Sequence, residues 1–178
     1  MSNFSFISND VLRSNLDLAF DHIVDLLTLS ESDQYKGKQL LVSSLRKTII
    51  IHTASIIEAL LLWKLKATHK TDKIELPDDW NYRDIKSIYK INDNEEVIAG
   101  IRKRVEVNID RIDFIKITRL CEKYGIIKSD KTKDIDKVRE FRNRLHLGGL
   151  LDMEKEYKKE DLEFCFKVAN QVKETVSK

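Results

Sequence analysis

The chain has 178 residues, 42% hydrophobic and 35% charged, with five glycines and one proline. That length suits one domain with a proper core, and so few turn residues argue against a sandwich or barrel. Lysine plus arginine number 32 against 30 acidic residues, a net charge of +2, so any basic patch for nucleic acid must be local.

The N-terminal stretch MSNFSFISNDVLRSNLDL has no basic n-region and no apolar h-region, so it does not read as a secretory signal. Residues 8 to 29 read as a first helix, with Leu12, Leu16, Phe20, Ile23, Leu26 and Leu27 at helical spacing. Ser8, Asn9 and Asp10 supply its cap candidates, and LSESDQ breaks it.

Residues 33 to 67 read as a long second helix, apolar nearly all round in the middle and therefore the central buried element. Its run IIIHTASIIEALLLW is too short and too interrupted to read as a membrane span, which makes a cytoplasmic protein the default. Glu58 lies inside that run. A carboxylate there must be paired, hydrogen-bonded or turned to an edge, either as a structural contact or as a partner for a distant basic cluster. His52 and Ser55, one or two turns away, invite the same two readings.

Residues 68 to 84 hold the only proline and read as loop. Residues 85 to 107 are rich in Ile, Val and Tyr, with NDNE between two β-branched runs, which predicts an inserted β-hairpin; two short helices are the alternative. The IRKR stretch, with Arg102 and Arg104, forms its basic end and is a candidate phosphate contact.

Helical spacing returns over 110 to 124, through Ile112, Ile115, Ile117, Leu120, Cys121 and Tyr124, with Gly125 as a stop. Residues 132 to 147 form a further helix ended by Gly148 and Gly149. A last helix of about eighteen residues buries Leu162, Phe166, Ala169, Val172 and Val176. Cys121 and Cys165 sit on apolar helical stretches without metal-type spacing and read as reduced core residues. No metal or cofactor motif is present. The fold class is mainly α: one domain, 1 to 178, a bundle of about five helices with the hairpin inserted at 85 to 107. The helix of 132 to 147 and the last helix are expected to be antiparallel neighbours.

The segment VREFRNRLHLGG, residues 138 to 149, concentrates the polar chemistry. On a helical wheel Arg139, Arg142, Asn143 and His146 fill an arc of roughly 100°, beside a core stripe of Val138, Phe141 and Leu145. Glu140 and Arg144 fall on the solvent side. Guanidinium forks can grip a phosphate, Asn adds a hydrogen bond, and His can move a proton near neutral pH. Those are the parts needed for metal-independent RNA cleavage by the 2′-hydroxyl. One His cannot readily be both base and acid, but a symmetric dimer would bring two.

VREFRNRLHL resembles the signature of the HEPN superfamily, in which Arg and a polar residue precede a His, as in LRELRNRIHL. TASIIEALLLWKL resembles that family's helix with an embedded Glu, and IDFIKITRLCEKYGII the segment before its motif helix. The similarity runs over roughly residues 40 to 150. The resemblance implies a helical domain that dimerises through its motif helices around a composite cleft, with metal-independent endoribonuclease activity. It casts His146 as the catalytic histidine, Arg142 with Asn143 as the Arg-polar pair, and Glu58 as a supporting residue. Three residues separate Arg142 from His146 and six separate Arg139 from it, so both arginines remain candidates. Gly148 stands where one toxin subgroup carries a modified Tyr. The partners implied are RNA, a second copy and an antitoxin, in a toxin or antiviral defence setting. Some members are non-catalytic modules that bind RNA, a nucleotide or a protein, which is the alternative reading.

Overall fold

A computed structural model describes residues 2–70, 73–144 and 156–178. Among these residues, five α-helices and one two-stranded antiparallel sheet follow in the order α1 (Asp10–Ser30), α2 (Gln39–His69), β1 (Lys73–Lys90), β2 (Glu96–Asn108), α3 (Phe114–Lys123), α4 (Ser129–Asn143) and α5 (Lys159–Val176). The chain is mainly α with an inserted hairpin, as the periodicity predicts.

α2 is the axis of the bundle. Ile49, Ile50, Ala54, Ile57, Leu60, Leu61 and Leu65 are fully buried along it. Its 31 residues are long and apolar enough, by length and composition alone, to cross a membrane, contrary to the reading from the shorter run. The fold uses this apolar length as a core helix. Residues 33 to 38 do not belong to it: Asp33–Tyr35 form a separate short turn, and Gly37 carries a φ of 84°.

α1 starts where Asn9 caps it, its side chain accepting from the Leu12 amide at 2.9 Å. It runs against α2, with Phe6 beside Trp63 at 5.7 Å near one end and His22 beside His52 at 4.8 Å further along. Leu16 and Ile23 are buried, whereas Phe20 is partly open at the rim. α5 runs parallel to α2: Arg46 donates to the Tyr157 carbonyl and Lys64 to the Val176 carbonyl. α4 runs against α5, as expected, since Lys131 meets Gln171 and Phe141 meets Phe164. Gly125, at φ 69°, closes α3: its amide bonds to the Glu122 carbonyl and the Ile126 amide to Cys121. Ile115 and Tyr124, expected inside, are exposed at the edge of α3. Cys121 and Cys165 are free and buried, and burial pushes both thiols up to about 12.

The hairpin is longer than predicted. Residues 73 to 84 are strand, not loop, because Ile74 and Leu76 alternate into the core. The ladder is interrupted between Glu75 and Trp80, so Pro77 falls where a missing amide donor costs no pairing. A second irregularity holds Asp84 at φ 51°, opposite Gly100. A Cβ on Gly100 would lie 3.1 Å from the Arg83 carbonyl oxygen, which favours glycine there. Asn92, Asp93, Asn94 and Glu95 make the turn, as the NDNE reading expects, through the Ile91 amide to the Glu95 carbonyl and Asn94 to the Asn92 side chain. Every residue from 81 to 103 is exposed, so the outer hairpin stands off the bundle as an arm.

Candidate functional site

α4 begins at Ser129 and ends at Asn143, where the Arg144 amide bonds to the Glu140 carbonyl. The helix begins three residues before the 132-to-147 reading, whose last residues, 145 to 147, lie outside the described ones. Val138 and Phe141 are buried, which sets the rotation of the helix, and Glu140, Asn143 and Arg144 are exposed. Arg139, Arg142 and Asn143 fall beside the core stripe, as the wheel requires. His146, Leu145, Gly148 and Gly149 lie outside the described residues.

The three described motif side chains share one cleft of about 530 Å³ with Glu58, Asp113, Phe114 and Ile115. Glu58 enters from the edge of α2, and the others from the first turn of α3 and the last turn of α4. The Arg142 Nη1 donates to Glu58 Oε2 at 2.6 Å, with both side chains only partly exposed. The pair thus joins the motif helix to the central helix. The same guanidinium lies 5.9 Å from the Phe114 ring centroid, an apolar backing that leaves its other N–H groups for a ligand.

Arg139 is held differently. Its Nε is 3.6 Å from Asp136 Oδ1, too far for a hydrogen bond, and both atoms are buried without a hydrogen-bond partner. Asp136 accepts instead from Arg119 on α3, at 2.7 Å through its other oxygen. The Arg139 side chain is about four-fifths covered, so its charge sits close to protein and is only lightly screened. Asp113 also lines the cleft; it caps α3 by accepting from the Lys116 amide.

Arg142, Asn143, Arg139 and Glu58 are therefore brought together. Arg102 and Arg104 are not part of this cleft. They lie mid-strand in β2, not at a basic end of the hairpin, and both face the Trp80 ring, at 4.2 and 4.4 Å from its centroid. His52 and Ser55 also lie elsewhere. His52 packs edge-on against His22 between α1 and α2, and burial with the nearby His22 charge pushes its pKa below the usual value. Ser55 donates to the Ile51 carbonyl one turn back.

Sequence reasoning missed Asp136, although it stands three residues before Arg139 and that spacing alone suggests an ion pair. It also missed the wall formed by Asp113, Phe114 and Ile115, which only the packing of α3 on α2 creates. Among the described residues, no group of three or more His, Cys, Asp or Glu is arranged to hold a metal.

The arrangement can hold an anion. Two arginine side chains line one opening, one oriented by a carboxylate and one about four-fifths covered, with an exposed amide beside them. Comparison with known proteins finds no matching family model, no matching curated protein and no matching solved structure.

Proposed function

We propose that the protein is a metal-independent endoribonuclease of HEPN type, acting as a homodimer in the cytoplasm, in a toxin–antitoxin or antiviral defence setting. The observation that carries the reading is the Glu58–Arg142 pair at the mouth of a cleft that Arg139 and Asn143 also line. The two stretches that resemble the family, the helix with the embedded Glu and the motif helix, meet through that pair.

In this reading His146 of one copy accepts the 2′-hydroxyl proton of RNA. The 2′ oxygen bonds to phosphorus and the bond to the 5′ oxygen breaks. His146 of the second copy returns a proton to the departing 5′ oxygen, leaving a 2′,3′-cyclic phosphate. Arg142, kept in place by Glu58, and Arg139 stabilise charge on the non-bridging oxygens. Asn143 orients the phosphate. An antitoxin partner would cover the cleft.

The experiment is incubation of the full chain with single-stranded RNA in excess chelator, beside His146→Ala. Cleavage by the wild type and its loss in the variant support the proposal. Undiminished cleavage in His146→Ala, or sedimentation as a monomer alone at micromolar concentration, counts against the composite site. One observation favours a second reading. Each arginine has a carboxylate close by, so the local charge is nearly balanced, as suits a non-catalytic module that binds RNA, a nucleotide or a protein. Such a module would retain RNA without shortening it.

A further inference from the structure

The outer hairpin carries a feature that the cleft does not use. Residues directly opposite in an antiparallel pair share a face. Trp80 is paired with Arg104 and Tyr82 with Arg102, so all four side chains project from one side of the ribbon. Both guanidiniums pack against the Trp80 ring. Neither arginine has a carboxylate partner among the described residues, and Arg104 Nη1 is buried without a hydrogen bond. Lys73 and Lys90 of the same hairpin, by contrast, are paired with Glu106 and Asp93. Tyr82 is 57% exposed beside them.

Stacking on an indole keeps a guanidinium plane oriented, and the N–H groups that still reach solvent, those of exposed Arg102 above all, can meet a phosphate. An exposed aromatic ring next to such edges supplies a surface for an unpaired base. Cations along a track with aromatic platforms are the requirements of single-stranded nucleic acid. The location fits as well. Asp79, the neighbour of Trp80, is ion-paired at 2.6 Å with Lys116. Lys116 adjoins Ile115 in the wall of the Arg139–Arg142 cleft. A strand leaving the cleft past Ile115 would meet the base of the arm.

We infer that the hairpin is a docking arm for single-stranded RNA, with Trp80, Tyr82, Arg102 and Arg104 as its contact face. This deepens the ribonuclease reading by naming an unpaired strand as substrate, and it rests on that reading for the choice of RNA. The test uses the full chain carrying His146→Ala and a 5′-labelled single-stranded RNA of about 12 nucleotides. Binding is followed by anisotropy and by tryptophan emission.

The expected result is quenching of emission on binding, absent in Trp80→Phe, which still binds. Affinity falls about tenfold in Trp80→Ala. In the Arg102→Gln, Arg104→Gln double variant, the slope of log affinity against log salt becomes shallower by about 1.4. Unchanged affinity and salt slope in that variant, with its helical circular dichroism intact, would overturn the inference. So would absence of quenching, equal competition by inorganic polyphosphate, or a change in dimerisation alone. Cleavage lost on His146→Ala in the otherwise native chain is read separately, so the arm can fail while the ribonuclease reading stands, and the reverse.

Discussion

Neutralising Glu58 as Glu58→Gln should loosen α4 from α2, because the Glu58–Arg142 contact is the direct ion pair between those helices among the described residues. The contact is 2.6 Å long, and the side chains are 23% and 33% exposed. Fully exposed pairs contribute about 0.2–1 kcal/mol, and breaking a fully buried pair costs about 3–5 kcal/mol. A contact of intermediate burial therefore falls between them, at about 1–2 kcal/mol of coupling. For a chain of this length that lowers the melting temperature by about 3–6 °C. The assay is a double-mutant cycle in thermal unfolding with Glu58→Gln, Arg142→Gln and the pair together. The double variant should lose less than the sum of the single losses. Strict additivity, within about 0.3 kcal/mol, would refute the claim that this pair seats the motif helix.

Three further outcomes follow from the packing. Leu61→Ala empties a fully buried site on α2 and should cost about 2–5 kcal/mol in urea unfolding, whereas a cost below about 1 kcal/mol would mean that α2 is not the core axis. Gly125→Ala meets open space but forces a φ of 69° on an L-residue, so about 1–2 kcal/mol of stability should be lost with no change in fold by circular dichroism. His52, with a folded pKa below the ordinary value of 6.5, leaves the unfolded chain to bind the proton first. Its contribution is complete above about pH 6.5 and is lost as pH falls below it. His52→Gln should therefore flatten the acid side of the stability curve, and an unchanged curve would contradict the burial assigned to the ring.

Much of the bundle was legible because helical periodicity reports burial directly. Leu16 and Ile23, Leu162 and Val172, and Val138 with Phe141 all fall inside, as their spacing requires. The ends were less legible. Residues 33 to 38, DQYKGK, carry no apolar stripe of their own, and Gly37 at positive φ separates them from α2. The first half of β1 was hidden by Pro77, a residue that punctuates loops and here sits in a ladder interruption. Arg139, Arg142 and Asn143 were legible as a cluster, since one helical face places them together. What they touch was legible only in part. Glu58 stood out as a candidate partner for the basic cluster, whereas its pairing with Arg142 in particular, and the presence of Asp113 in the cleft, depend on contacts between helices far apart in sequence. Trp80 escaped notice because it lies in a stretch that read as loop, while its arginine neighbours across the strand did not.

The proposed ribonuclease activity is tested most directly by the chemistry of the ends left on RNA by the full chain in excess chelator. A ribonuclease cleft leaves fragments ending in 2′,3′-cyclic phosphate, formed by the wild type and not by His146→Ala, with Arg142→Ala and Arg139→Ala dividing the contribution of the two arginines. Fragments carrying 3′-hydroxyl and 5′-phosphate ends, or no fragments from any of several single-stranded RNAs, would contradict it.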